Sequence, residues 1–156
     1  MPNSNPTGEF PIVEHCLGSL SHFDDAPDWI YSSDNPYLHG VYAPTINEVC
    51  EQKLAVTGEL PADLCGAYFR NGPNPLHESP NRHHPFDGDG MLHGVYFQGG
   101  TASYRNRYIE TAALAQQRVS AHCTSPGVMG PFDYSVSEFG IKDTSNTDVF
   151  LYNGEL

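Results

Sequence analysis

Alternating apolar and polar positions over residues 91–108 predict the clearest local element of the chain, a β-hairpin. Its two arms, residues 91–98 and 101–108, flank Gly99-Gly100. Two glycines can adopt the positive φ angles that a two-residue hairpin turn requires. In the second arm, aromatic and small side chains alternate with serine and arginine, so we expect one largely aromatic face and one basic, polar face.

Short apolar runs separated by glycine and proline predict further strands outside this hairpin. No segment shows the sustained apolar spacing of a long amphipathic helix, and this pattern favours an all-β fold built from short strands. The additional strands are expected at residues 54–57, 67–70 and 147–152, and the last of them leads into an Asn153-Gly154 hairpin turn.

Four segments depart from the strand pattern. Residues 45–52 favour one or two helical turns, and residues 61–64 favour a single tight helical turn. Residues 109–119 contain helix-favouring Ala, Leu and Gln, but they continue the hairpin without a break, and we predict an extended strand there. Residues 125–130, with the sequence SPGVMG, are expected to form a loop.

The densest group of backbone-shaping residues lies at positions 66–93. Proline fixes φ and glycine admits positive φ, so residues 70–75 and 87–90 predict two shaped turns. Asp87 and Asp89 can accept hydrogen bonds from backbone N–H groups and hold such a turn closed. On residue types alone, a packed connection between strands is favoured over a loop that shapes a site. Four apolar side chains are expected to anchor the turns in the core: Phe69, Phe86, Met91 and Leu92.

The first part of the chain differs in composition, being rich in Asn, Ser, Pro and Asp. Two apolar islands, at residues 10–13 and 29–31, predict an irregular arm that lies extended on the main body, with Trp29 as its best anchor. We therefore divide the chain into an arm, residues 1–34, and a domain, residues 35–156. The arm has neither the basic region nor the apolar run of a secretion signal. No segment approaches the ~20 apolar residues that span a bilayer.

Charge and cysteine content narrow the classes of function. Seven Lys and Arg against 19 Asp and Glu give a formal net charge of −12, which repels phosphate backbones, so we expect no nucleic acid partner. The four cysteines are widely spaced and form no CxxC pair, which argues against a zinc ribbon and predicts reduced, mostly buried thiols. These features predict a cytoplasmic protein.

A cluster of histidines raises the hypothesis of a metal site. Adjacent histidines in a strand point to opposite sides, and the spacing matches neither HExxH nor a zinc finger. We therefore predict structural or solvated roles and no metal ligand for the clustered histidines: His77, His83, His84 and His93. No GxSxG, GxGxxG or phosphate-loop motif marks a catalytic residue. Three basic side chains are expected to pair with acids within the fold: Arg70, Arg105 and Arg107.

Three motifs occur together in a fixed order: RNGPNP at residues 70–75, HPFDGDGMLH at 84–93 and YRNRYIET at 104–111. This combination resembles the amino-terminal signature of the carotenoid cleavage oxygenases. These are non-haem iron enzymes that split carotenoids, apocarotenoids or stilbenes at a carbon–carbon double bond. The resemblance extends from about residue 35 to the last residue and leaves the first thirty or so uncovered.

The resemblance implies that the chain is the amino-terminal portion of a seven-bladed β-propeller with an irregular N-terminal arm. A turn at Asn153-Gly154 without a following arm also predicts an incomplete sheet. The family binds Fe(II) through four histidines on separate blades, in motifs that come after the end of this chain. We therefore expect neither a metal ligand nor a catalytic residue in this span, and no activity from it alone.

For the whole protein the resemblance implies O2 and an apolar polyene or stilbene as reactants. Phe86 matches the aromatic residue that lines the substrate tunnel of stilbene-cleaving relatives, and it is our one candidate substrate-binding residue. Residues 125–130 contain no counterpart of the phenol-binding tyrosine of those enzymes, which favours a carotenoid or apocarotenoid substrate. The alternatives are a stilbene-cleaving enzyme and a non-catalytic β-domain that binds a hydrophobic ligand or a protein partner. No segment indicates the peripheral membrane contact expected of an enzyme that extracts polyenes from lipid.

Overall fold

The computed structural model describes residues 28–136, 140–153 and 155. The apolar island at residues 10–13 and most of the predicted arm lie outside these residues. The second island is helical: Asp28–Ser32 forms α1, which corrects the prediction of an extended arm there. Ile30 is buried, and the ring of Trp29 lies against that of His77 with a centroid separation of 6.3 Å.

A four-stranded antiparallel sheet organises the described part of the chain. Its strands are β1 (Cys50–Glu51), β2 (Gly66–Pro73), β3 (Gly90–Gln98) and β4 (Thr101–Tyr108), in the spatial order β1-β4-β3-β2. The β3–β4 hairpin is confirmed, with φ angles of 55° and 76° at Gly99 and Gly100. The strand predicted at residues 67–70 is also confirmed, but β2 runs on to Pro73 and replaces much of the turn predicted at residues 70–75.

The helical turns predicted at residues 45–52 are wrong. Side-chain amides occupy the two backbone groups that would pair in a helix: the Thr45 carbonyl accepts from Asn74 Nδ2 at 2.5 Å, and Val49 N–H donates to Asn106 Oδ1 at 2.5 Å. These bonds keep the segment extended and lead it into β1 along the free edge of β4.

The strands predicted at residues 54–57 and 147–152 are also wrong. At the first position only Leu54 joins the sheet, where its N–H donates to Ala102 O at 2.8 Å. At the second, the backbone is irregular up to Tyr152, which exchanges two backbone hydrogen bonds of 2.8 and 2.9 Å with Glu155. That pair closes the turn predicted at Asn153-Gly154, although Gly154 itself lies outside the described residues.

Residues 109–119 do not continue as a strand. Ala112–Ser120 forms the helix α2, which begins where the Thr111 hydroxyl accepts a hydrogen bond from Leu114 N–H at 3.1 Å. The intrinsic preference of Ala, Leu and Gln for helix therefore decides this segment once the hairpin ladder ends at Tyr108. Leu114 of this helix packs against the sheet residues Met91 and Tyr108, and the three side chains form the buried core.

Several loops agree with their predictions. Leu64 N–H donates to Pro61 O at 3.1 Å, which forms the tight turn, and residues 125–130 form a loop. The prediction of reduced, mostly buried thiols is only partly right: Cys123 is buried and free, Cys65 is free but exposed, and Cys50 takes part in a disulfide bond. Within the described ranges, no helix is long and apolar enough to cross a membrane.

Candidate functional site

Phe86 projects from the connection between β2 and β3. It lies in the middle of a 3₁₀ turn, Pro85–Asp87, and 66% of it is exposed. The prediction that it anchors the turn in the core is therefore wrong, whereas Met91, four residues after Asp87, is fully buried as expected. An exposed phenyl ring on a fixed turn is available to line an apolar surface, and its role in substrate binding stays a prediction.

Hydrogen bonds fix the main chain of Phe86 at both its N–H group and its carbonyl group. Its N–H donates to Nδ1 of His84 at 3.2 Å, and its carbonyl accepts from Nδ2 of Asn146 at 2.9 Å. The same Asn146 nitrogen donates to the carbonyl of Gly88 at 2.6 Å, so one buried amide spans the turn. The ring of Phe86 is therefore exposed while its main chain is held in place.

Asp87 holds the turn closed from beneath. One carboxylate oxygen accepts from His84 N–H at 2.7 Å and the other from Val128 N–H at 2.8 Å, and the side chain is buried. This confirms the prediction that Asp87 accepts backbone hydrogen bonds, and it adds a long-range partner. A Cβ atom at Gly127 would collide with the carboxylate, so only glycine fits beside it.

Asp89 is the centre of a buried polar cluster. Its Oδ2 accepts from Lys142 Nζ at 2.8 Å and from Leu76 N–H at 3.0 Å, and its Oδ1 accepts from Gln117 Nε2 at 2.8 Å. The side chains of Lys142 and Asp89 are both 1% exposed. This cluster joins the turn to α2 and to the segment at residues 140–146, far along the chain.

The asparagines of RNGPNP are clamps between backbone segments. Asn71 Nδ2 donates to the carbonyls of Ser145 and Asp148 at 2.9 and 3.0 Å. Asn74 Nδ2 donates to the backbone carbonyl of Thr45 at 2.5 Å and to the hydroxyl of Tyr108 at 2.8 Å. The motif therefore orders the edge of the sheet and the segment before β1.

The clustered histidines are dispersed by the fold. His83 is buried and its Nδ1 accepts from Ser79 N–H at 3.3 Å, whereas Nδ1 of His93 lies 2.8 Å from the hydroxyl of Tyr104 on the sheet. His84 caps the turn of Phe86, and His77 contacts Trp29. Burial lowers the pKa of His77, His83 and His93, because an imidazolium ion loses hydration there.

We expect His83 to make the chain less stable in mild acid. Its pKa is lowered by burial from 6.5, so as the pH falls below 6.5 the unfolded chain takes up a proton that the folded chain excludes. The stabilising contribution is complete above pH 6.5 and is lost progressively as the pH falls through the lowered folded-state pKa. His83→Asn keeps an acceptor near the position of Nδ1 for Ser79 N–H and is expected to reduce this loss. Urea unfolding at about pH 7.5 and about pH 5.5 measures it, and an unchanged loss in the variant would contradict the assignment.

The prediction that three arginines pair with acidic side chains is only partly correct. Arg107 pairs with Glu48 at 3.8 Å, as expected. Among the described residues no acid lies within ion-pair distance of Arg70, so the predicted pairing is not found there; its guanidinium instead lies over Gly72. Arg105 lies on the same sheet face as Arg107, two residues before it on β4.

The described residues do not fit an iron centre. Within residues 28–136, 140–153 and 155, no group of three or more His, Cys, Asp or Glu side chains converges on a point that could hold a metal ion. The oxygen atoms of Asp87 and Asp89 are occupied by hydrogen-bond donors, so the FDGDG segment acts as a backbone clamp.

Three residues that position the candidate site could not be found from the sequence. Lys142, Gln117 and Asn146 lie 53, 28 and 58 to 60 residues away from the groups they contact. No local motif surrounds them, and a lysine in a chain with this charge is expected at the surface. Only the partnership with Asp89 explains why Lys142 is buried.

The fold and the turn define a class of antiparallel sheet protein that occurs in solved oxygenase structures. A lignostilbene dioxygenase of Pseudomonas brassicacearum superimposes with a TM-score of 0.57 and 30% identity over 60% of this chain and 20% of that chain. A variant of the Synechocystis apocarotenoid oxygenase gives a TM-score of 0.50 and 32% identity over 56% of this chain and 19% of that chain.

Comparison of sequences identifies the family. The model of the family described as retinal pigment epithelial membrane protein matches residues 42–156. The carotenoid cleavage oxygenase of Mycobacterium tuberculosis is 50% identical over 84 residues, which cover 53% of this chain and 17% of that protein. The probable carotenoid cleavage dioxygenase 4 of Arabidopsis thaliana, chloroplastic, is 33% identical over 131 residues, 81% of this chain and 21% of that protein.

This chain belongs to the carotenoid cleavage oxygenase family, as the resemblance of its three motifs predicted. The matched segments span about a fifth or less of the length of these relatives.

Proposed function

We propose that this chain is the amino-terminal part of a non-haem Fe(II)-dependent dioxygenase that cleaves a carbon–carbon double bond of a carotenoid or apocarotenoid. The observation that carries the proposal is the family match over residues 42–156, within which the Phe86 turn is built. The sheet would form part of a seven-bladed β-propeller, and the division between an arm at residues 1–34 and a domain at residues 35–156 is part of the proposal.

The contribution of this span would be to binding. An apolar conjugated substrate needs a pocket lined by apolar and aromatic side chains, and Phe86 offers an exposed ring on a main chain that is hydrogen-bonded on both sides. The clamps made by Asp87, Asp89 and Asn146 would keep that ring at a fixed position relative to the sheet. A wall of this kind excludes water and orients the alkene.

Iron would have to be held by residues outside the described part of the chain, because the described side chains do not converge on a metal position. When bound, Fe(II) would supply the activation of O2. The proposed reactants are O2 and an apolar polyene, and the proposed location is the cytoplasm. The net charge of −12 disfavours binding to nucleic acid.

A stilbene substrate is the second candidate within the same family. The lignostilbene dioxygenase of Pseudomonas brassicacearum superimposes on this chain with a TM-score of 0.57, compared with 0.50 for the apocarotenoid oxygenase variant. A non-catalytic domain that binds a hydrophobic ligand or a protein partner is the candidate from a different class. It is favoured by the exposed Phe86 ring and by the failure of the described residues to fit a metal.

A longer product of the same gene, loaded with iron, tests these candidates. We expect it to cleave β-carotene or an apocarotenal into two carbonyl products that carry oxygen from isotopically labelled O2, as detected by mass spectrometry. Phe86→Ala is expected to raise KM about tenfold, whereas Phe132→Ala, at a similarly exposed ring, is not. Cleavage of resveratrol alone would favour the stilbene enzyme. No cleavage of any substrate would favour the binding domain.

A further inference from the structure

We infer that His84 is the positioning residue for the Phe86 ring. This inference rests on the proposed function, in which Phe86 lines the path of a conjugated apolar substrate. The imidazole of His84 makes two contacts with Phe86, one with the backbone N–H and one with the phenyl ring. Neither His84 nor Phe86 is a reactant in the proposed cleavage, so both contacts persist during the reaction.

The first contact fixes the main chain. Nδ1 of His84 accepts from Phe86 N–H at 3.2 Å, while the backbone N–H of His84 donates to the carboxylate of Asp87 at 2.7 Å, so the two ends of the turn cap each other. Acceptance at Nδ1 requires that this nitrogen carry no proton, which places the proton of the neutral ring on Nε2. The capping residue is thus an imidazole acting as an acceptor.

The second contact fixes the side chain. The rings of His84 and Phe86 meet edge to face, with centroids 4.8 Å apart and planes at 78°. This is a favoured aromatic geometry, and it restricts rotation of a phenyl ring that has few other neighbours at 66% exposure. The imidazole is therefore a lateral support for a ring that the core does not hold.

His84 has a second aromatic neighbour. The ring of Tyr37 lies 6.3 Å from that of His84, and Tyr42 lies 5.9 Å from Tyr37 in an edge-to-face arrangement. Asn35 ties this segment to the histidine pair, because its Nδ2 donates to His83 O at 3.1 Å. A row of four rings, Tyr42, Tyr37, His84 and Phe86, therefore ends at the candidate substrate residue.

Histidine suits this position because it combines an acceptor nitrogen with an aromatic face. Asparagine can accept the hydrogen bond of Phe86 N–H but offers no ring, and phenylalanine offers a ring but no acceptor. His84→Asn and His84→Phe consequently separate the two contacts, and His84→Ala removes both. His122→Ala serves as a matched control, since His122 is an exposed histidine that contacts Ser120 and not the turn.

The experiment is a fluorescence titration of the longer, iron-loaded product of the same gene with an apocarotenal, in the absence of O2, together with thermal melting of each variant. We expect Phe86→Ala and His84→Ala each to weaken binding about tenfold, and His84→Asn and His84→Phe each about threefold. His122→Ala should bind like the unmodified chain. The double variant His84→Ala/Phe86→Ala should bind no more weakly than Phe86→Ala alone, because His84 acts through that ring.

The double variant separates positioning from general stability, since a purely structural role would weaken binding by the same factor in both backgrounds. Such an equal loss would overturn the inference. So would unchanged binding of His84→Ala alongside weakened binding of Phe86→Ala, a result that would leave the proposed substrate wall intact. Absence of apocarotenal binding by the folded protein, or unchanged binding of Phe86→Ala, would overturn both the role of Phe86 in lining the substrate pocket and the role of His84.

Discussion

Lys142→Met is expected to lower the free energy of unfolding by about 3–5 kcal/mol. Lys142 Nζ lies 2.8 Å from Asp89 Oδ2, and both side chains are 1% exposed. Methionine fills similar space but carries no charge, so the carboxylate would remain buried with only neutral donors, Leu76 N–H and the Gln117 amide. Removing one partner of a buried ion pair is much more destabilising than removing the pair.

Urea unfolding followed by circular dichroism measures this effect. Arg118→Met is the matched control: its ion pairs with Glu48 and Glu110 are partly exposed, so we expect a loss below about 1 kcal/mol. The double variant Asp89→Asn/Lys142→Met removes both charges and should recover part of the loss. A loss for Lys142→Met no larger than that of Arg118→Met would show that the buried pair does not stabilise the turn.

Gly90→Ala is expected to destabilise the chain by about 3 kcal/mol, the upper end for overpacking, because the atoms in its way belong to the backbone. A Cβ at this position would collide with the carbonyl of Ser145 and lie 2.9 Å from that of Thr144. Gly90 N–H donates to Thr144 O at 2.7 Å, so the segment cannot move away without losing that bond. Displacing it would also separate Lys142 from Asp89.

Gly72→Ala provides the comparison for this prediction. A Cβ at Gly72 would meet only the guanidinium of Arg70, at 3.3 Å, and a flexible side chain of that kind can move. We expect a clear drop in melting temperature for Gly90→Ala and a much smaller one for Gly72→Ala. Equal melting temperatures for the two variants would contradict the close approach of residues 144–145 to β3.

Local pattern predicted the parts of the fold that local interactions determine. The β3–β4 hairpin follows from alternation of side chains and from two glycines that can adopt positive φ. The hydrogen-bonding roles of Asp87 and Asp89 also followed from residue type, although their partners did not. The tight turn at residues 61–64 and the loop at residues 125–130 belong to the same group.

The predictions of local structure are wrong where residues distant in the sequence determine the backbone conformation. Residues 45–49 are extended because the amides of Asn74 and Asn106 take their backbone hydrogen bonds, and no local rule gives that result. In residues 109–119 continuity with β4 predicts a strand, but helix propensity and the cap that Thr111 supplies produce a helix. Phe86 was expected in the core by its hydrophobicity, but it lies on a turn whose core position is taken by Asp87.

The buried polar groups connect the fold to the proposed function. Asp87 and Asn146 bind backbone groups, and Asp89 binds one backbone N–H and the side chains of Gln117 and Lys142. Together these bonds fix the turn that carries Phe86. These carboxylate and amide side chains are of the types that bind metals or substrates, but in this fold they support the turn. The binding chemistry assigned to this span is apolar and aromatic.

Iron content, measured on the purified 156-residue chain beside a longer product of the same gene, tests the central claim most directly. We predict stoichiometric iron in the longer protein and none in the short chain, because the four clustered histidines at positions 77, 83, 84 and 93 each have a structural contact: His84 caps a turn, His83 accepts a backbone hydrogen bond, and His77 and His93 contact aromatic rings. Stoichiometric iron in the short chain would contradict this prediction and would assign these histidines to a metal centre.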